Sequence, residues 1–203
     1  MFNDRSTPLS LLRTRRSGRP RDLVEPGPSA GELRQILEIA ARSPDHGKLH
    51  PWRFVHVPKA RRDAFAALLQ RAYRIDRPEP GRLEIEANDR FARQAPELIV
   101  ALSSPIPGHK IPVWEQELSC GAACMNLLFA AHAIGYVAGL VTGWAAYSDT
   151  VLSAFGAPPE RIAGFIFLGT PGAELEERPR PDYGEVVSEW TGERRPLPAA
   201  REV

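Results

Sequence analysis

Apolar and polar positions alternate along this chain in a way that marks out helices and strands in turn. Thr7 before Pro8 reads as a helix start, because proline is tolerated at the first helical position and threonine can cap free N–H groups. The stretch PLSLLRTRR, residues 8–16, is therefore expected to be a short helix ending in basic residues. SAGE at 29–32 has capping-box form, and Leu33, Ile36, Leu37 and Ala40 repeat at helical spacing up to Ser43 and Pro44. WRFVHV (52–57) is strand-like, 60–73 is helical, 74–82 is a polar Pro/Gly loop, 84–94 is a charged helix and ELIVALS (97–103) is an apolar strand.

From Leu118 to Ile134 the sequence is apolar almost all round, and Gly135 follows as a stop signal. The run is at the short limit for a membrane span and carries Asn126 and His132 inside it, so it reads as a buried central helix. VAGLVTG, a short helix near 149–155 and a strand at 162–169 come next, and a polar tail begins at Pro171. Such a tail either lies across a partner subunit or is disordered. Helices alternating with strands give an α+β class.

Composition narrows the function. With 203 residues and 43 % hydrophobic content, the chain can bury roughly 70 % of its unfolded surface as one domain. Twenty-six basic residues against 25 acidic ones leave a net charge of +1, so no long-range field attracts nucleic acid and any anion site must be local. Cys120 and Cys124 lack the spacing of a redox pair and the partners of a metal site; they are expected to be buried thiols in a reducing cytoplasm. The N-terminal pattern is not that of a secretory signal. No nucleic acid, membrane or metal partner is expected.

The local exception is RTRRSGRP, residues 13–20, with four arginines in eight positions. Taken alone it reads as a solvated basic helix end, since cations stabilise helix C-termini. It has company: ARSPDHGKLHPWRF at 41–54 and HKIPVWEQE at 109–117. Glu115 and Glu117 are two apart and face different ways on a helix, which argues against a paired-carboxylate device. The second stretch reads as entry to the central helix with Trp114 packing, and His109 and Lys110 are candidates for a substrate mouth. GxGxxG, GxxxxGK[ST] and HExxH patterns are absent.

The ordered set Arg15-Arg16-Ser17, Arg42-x-Pro44-Asp45-His46, Pro51-Trp52, Trp114-Glu115-Gln116-Glu117 and Leu168-Gly169-Thr170-Pro171 resembles the flavin-dependent nitroreductase family, its small YdjA-type members in particular. The resemblance runs from about Leu11 to Trp190. It implies a nitroreductase-like fold, a central mostly antiparallel sheet flanked by helices with a long buried central helix, assembled as an intertwined homodimer. It implies one FMN-binding domain over 1–190, with 191–203 as a C-terminal tail. It implies that Arg15 and Ser17 meet the FMN phosphate, that Arg16 meets the ribityl chain or ring edge, and that Arg19 is a donor near N1 and the C2 carbonyl. It implies that Arg42 and His46 reach the flavin, the histidine from the neighbouring subunit, and that the backbone of Leu140, Val141 and Thr142 runs over the ring. Arg178 and Arg180 match phosphate-holding positions of some relatives.

Charge-assisted donors suit a phosphate, and a planar guanidinium fork suits it best, so the physics agrees with that reading. One departure stands out: many relatives carry Asn-x-Gln before Pro-Trp, whereas Lys48 and His50 stand here. The implied activity is NAD(P)H-driven reduction of nitroaromatic, quinone or similar acceptors through FMN. The flavin carries the chemistry, so no catalytic side chain is required. A flavin-binding protein without turnover, serving storage, sensing or delivery, is the alternative.

Overall fold

The structure, a computed structural model, describes residues 1–192. In chain order the elements are α1 (Pro8–Thr14), β1 (Leu23–Val24), α2 (Ala30–Ala40), β2 (Trp52–His56), α3 (Arg62–Asp76), α4 (Arg82–Arg93), β3 (Glu97–Ser103), α5 (Val113–Ile134), β4 (Val137–Val141), α6 (Asp149–Leu152), β5 (Arg161–Pro171) and α7 (Tyr183–Val186). The tail expected over 191–203 lies, from 193 on, outside the described residues.

β5 organises the sheet, and every pairing is antiparallel. It pairs with β3 from Glu97↔Leu168 to Ser103↔Arg161, with β4 from Val137↔Gly169 to Val141↔Phe165, and with β1 at Leu23↔Pro171. β2 extends the sheet beyond β3, with Trp52 opposite Ser103. Side chains alternate across a strand. Leu98, Val100, Leu102, Phe165 and Phe167 thus enter one core layer with Phe65 and Leu69 of α3. Ile99, Ala101, Ile166 and Leu168 enter the opposite layer with Leu33 and Ile36 of α2 and Leu127 of α5. Both faces are covered, which is why β3 and β5 read as unbroken apolar runs.

α5 is the buried spine, and its small residues let it sit close to the sheet: Ala123 and Ala131 are fully buried, and Cys120 and Cys124 are free, buried thiols. By length and composition α5 could cross a membrane, but it packs on β3, β4 and α2. It ends at Gly135, whose φ of 122° is open to glycine and whose N–H closes on Ala131 and His132 carbonyls. Arg62, although buried, donates to the carbonyls of Val57, Ala92, Gln94 and Pro96 and so ties α3 to the chain entering β3.

Several boundaries differ from expectation. α1 stops at Thr14, leaving Arg15 and Arg16 in extended chain; α3 runs on to Asp76 and shortens the expected loop; α6 is four residues long. α5 begins at Val113, just after Pro112, so HKIPVWEQE supplies its first turn. Trp114 does not pack within the chain: it is 67 % exposed. The two-residue β1 has no counterpart in the expected pattern, because its strand character comes only from pairing with β5.

Candidate functional site

The arginine cluster is a loop held open by a side chain. At Arg15 the backbone turns to φ −57°, ψ 127°. Asn3 then brackets the next residue: its Oδ1 accepts from the Arg16 N–H at 2.8 Å, and its Nδ2 donates to the Arg16 carbonyl at 3.2 Å. These bonds replace the helical ones that α1 gives up. Gly18 is pressed onto the start of β4, and its carbonyl oxygen lies 2.6 Å from where a Cβ on Gly139 would stand. Only glycine at 139 permits that approach. The sequence stretches RRSGR and GLVTG, more than a hundred residues apart, therefore meet.

Charge on this loop is unevenly compensated. Arg15 Nη1 donates to the Ser17 hydroxyl at 3.0 Å, and no carboxylate pairs with it among the described residues. Burial, then the like charges of Arg180 and Arg16, hold its guanidinium below its ordinary pKa range. Arg16 and Arg19 are engaged by the segment that follows β5. Arg16 Nε donates to the Glu176 carbonyl, Arg19 pairs with the Glu176 carboxylate, and Glu177 lies 3.9 Å from Arg16 and 3.6 Å from Arg180. Leu175 anchors the segment against the core. Arg15 and Ser17 are thus the groups with spare capacity for an anion, Arg180 being paired with Glu177, and a half-buried guanidinium without a counterion fits a phosphate.

Along β4 the chain continues from Gly139 to Gly143, whose φ is 105°. Leu140 and Val141 are half-buried and Thr142 is exposed. Among the described residues β4 pairs with β5 alone. Its other edge is therefore available for main-chain hydrogen bonds, apart from the Ala138 N–H, which points to His132 Nε2 at 3.5 Å. Near the far end of β4 lies a cavity of about 480 Å³ that includes Cys120, Tyr147 and Arg161 in its walls.

The second expected group, Arg42 and His46, is built elsewhere. Asp45 accepts from the backbone N–H groups of Leu49 and His50, which fixes a loop with Gly47, Lys48 and His50 all at positive φ. A side chain at Gly47 would meet Ile111 at 2.3 Å, so this loop is locked to the one before α5. His46 Nδ1 lies 2.8 Å from Glu115 Oε2, while Glu117 faces Arg161 at 3.4 Å; the two glutamates do act separately. Arg42, Lys48 and His50 are exposed. His46 contacts α5 at Glu115 and Arg16 contacts it at His132; 17 residues of helix separate these points by about 25 Å. Within one protomer no hydrogen bond or ion pair among the described residues joins the two groups.

Sequence reasoning missed Asn3, the Glu176 and Glu177 pairings, and His132, whose only signal was a histidine inside an apolar run. Among the described residues, no group of three His, Cys, Asp or Glu side chains could hold a metal ion.

An antiparallel sheet sandwiched by helices, with an arginine loop packed over Gly139 of its edge strand β4, defines an α+β protein with a candidate anion site beside its sheet. Residues 12–170 match the Nitroreductase family, and the chain belongs to it. It is 35 % identical over 164 residues to the Escherichia coli K12 protein named "Putative NAD(P)H nitroreductase YdjA", covering 80 % of this chain and 87 % of that one. A Haemophilus influenzae "Putative NAD(P)H nitroreductase" is 34 % identical over 172 residues, 84 % and 91 % of the two chains. In fold it is similar to a nitroreductase-like family protein from Bacillus cereus, with a TM-score of 0.77 and 19 % identity over 92 % of this chain and 97 % of that one. It is similar also to a Desulfovibrio desulfuricans protein solved in complex with FMN, with a TM-score of 0.68 and 23 % identity over 95 % and 99 % of the chains.

Proposed function

We propose that the protein is an FMN-dependent NAD(P)H oxidoreductase that passes reducing equivalents to nitroaromatic, quinone or related acceptors. The observation that carries this reading is Arg15: a half-buried guanidinium without a counterion, on a loop packed over Gly139 of the edge strand β4, in a chain of the Nitroreductase family. Arg15 and Ser17 bind the phosphate, joined by Arg180 to the extent that Glu177 releases it. Arg16 fixes the loop through its backbone, and the main chain of Leu140, Val141 and Thr142 orients the ring. Arg19 serves the ring edge to the extent that Glu176 releases it. FMN held by these residues would supply the hydride-transfer chemistry between NAD(P)H and the acceptor. No side chain is required to hold a proton at a reacting atom.

The separation of about 25 Å along α5 supports a homodimer in which Arg42 and His46 complete the site of the other protomer. Trp114 and Leu118, 67 % and 53 % exposed on α5, supply apolar surface for that contact. We assign residues 1–190 to one flavin-binding domain with 191–203 as its tail, in a reducing cytoplasm that suits two free thiols. The test is anaerobic reduction of the FMN-loaded protein by NADPH and by NADH, followed by reoxidation with a nitroaromatic or a quinone. Reduction and reoxidation within seconds support the enzyme; bound FMN that neither reductant reduces assigns storage or delivery instead.

A further inference from the structure

His132 is fully buried in the last turns of α5 and takes no part in the binding set above, yet it touches both the arginine loop and β4. Its Nδ1 lies 2.6 Å from the Leu128 carbonyl of its own helix. Its Nε2 lies 3.2 Å from the Arg16 carbonyl and 3.5 Å from the Ala138 N–H of β4. A neutral imidazole has one donor and one acceptor. With the proton on Nδ1, the side facing Arg16 presents a lone pair to a carbonyl oxygen, and only the long contact from Ala138 is satisfied. With both nitrogens protonated, Nε2–H donates to the Arg16 carbonyl and the loop is held from below.

We propose that His132 is a positioning residue for the cofactor phosphate: it takes up a proton from solvent when a phosphate dianion docks on Arg15, and its Nε2–H then clamps the Arg16 carbonyl. The inference rests on the FMN reading above. Burial, and then the cation of Arg15, hold His132 below its ordinary pKa, while the Leu128 and Arg16 carbonyls pull the other way. A dianion on Arg15 cancels that cation's field, so that burial alone then opposes the proton that the two carbonyls favour. The charges around the ring fall into few groups. The loop contributes Arg15 and Arg16, and the segment after β5 contributes Arg180, Glu176 and Glu177. Arg5 holds the Ile134 carbonyl at the helix end, the remaining α5 charges, Glu115 and Glu117, lie toward its other end, and β4 carries none.

Linkage is reciprocal: whatever FMN does to the proton affinity of His132, protons do to FMN affinity. Each unit by which FMN raises the His132 pKa tightens FMN by about tenfold at low pH, an advantage lost as pH rises through the raised value. The phosphate itself, with a second pKa of about 6, works in the opposite direction, since its dianion binds arginines better. A substitution at His132 separates the two effects.

The experiment is a pH titration of the histidine Cε1–H signals by NMR on the full chain, alone, with riboflavin and with FMN. The chain has five histidines, and the His132 signal is identified by its loss in His132→Gln. Should that variant fail to fold, substitutions of His46, His50, His56 and His109 identify it by elimination. The expected result is a midpoint for His132 that rises by about one unit with FMN and stays in place with riboflavin. FMN affinity in His132→Gln then loses the share of its pH dependence that His132 contributes and keeps the phosphate's own. The same midpoint with both flavins overturns the proposal and leaves the cofactor reading standing. Failure of FMN to bind overturns both.

Discussion

Replacing Arg15 by alanine gives opposite signs for binding and for stability, and the structure supplies both. Without cofactor, the guanidinium is half-buried, has a hydroxyl as its hydrogen-bond partner and sits beside two like charges, Arg16 and Arg180. Removing it relieves repulsion and desolvation, so the melting temperature of the cofactor-free protein should hold or rise. With FMN, the same substitution deletes a charge-assisted contact, which typically costs about 1.5–3 kcal/mol. That corresponds to about tenfold to hundredfold weaker binding. Arg180 and Ser17 stay in place, which keeps the loss from growing further. Riboflavin, which has no phosphate, should bind the variant as it binds the wild type. Arg21→Ala is the control: Arg21 is 72 % exposed, 3.9 Å from Asp22, and just past the loop. Flavin fluorescence titration measures the affinities, and thermal melts of stripped protein measure the stability. Unchanged FMN affinity, equal losses for FMN and riboflavin, or a large drop in the melting temperature of the stripped protein would each refute the assignment of Arg15 to the phosphate.

Gly139→Ala places a Cβ 2.6 Å from the Gly18 carbonyl, so the arginine loop must lift from β4; overpacking of this kind costs about 1–3 kcal/mol, and FMN titration should show weaker binding together with a lowered melting temperature. Glu160 is held down to about 2, first by its hydrogen bonds from Arg53 and also by Ser104. Its folded pKa lies below its unfolded one, so its contribution is present above pH 4.5 and lost as pH falls toward 2; Arg53→Met should flatten that acid limb in denaturant melts taken at stepped pH. Light scattering at micromolar concentration should report the mass of a dimer, whose interface should bury well over about 2,000 Å². Leu118→Glu on the exposed stripe of α5 should shift it to monomer, and a wild-type monomer would remove the two-subunit site.

Elements buried on both sides announced themselves in the sequence. β3 and β5 are apolar because helices cover both faces of the sheet, α5 is apolar both where it packs on the sheet and on the stripe of Trp114 and Leu118 that one chain leaves exposed, and α2 carried its own capping box, which the structure forms between Ser29 and Glu32. What stayed hidden depends on distant partners. α1 ends where it does because Asn3 reaches across to Arg16, and β1 exists because β5 runs two residues past β4. The arginine motif was legible as a group, but not its division: nothing local says that Glu176 and Glu177 occupy Arg16, Arg19 and Arg180 while Arg15 is left free. Trp114 shows the opposite error, a large aromatic expected to pack that a single protomer leaves exposed.

The central claim is that this chain holds FMN, and an absorption spectrum tests it most directly. Protein purified or reconstituted with FMN should show the two visible flavin bands, retain them through gel filtration in proportion to protein, and release free FMN on denaturation. A colourless protein that cannot be reconstituted with FMN would contradict the account.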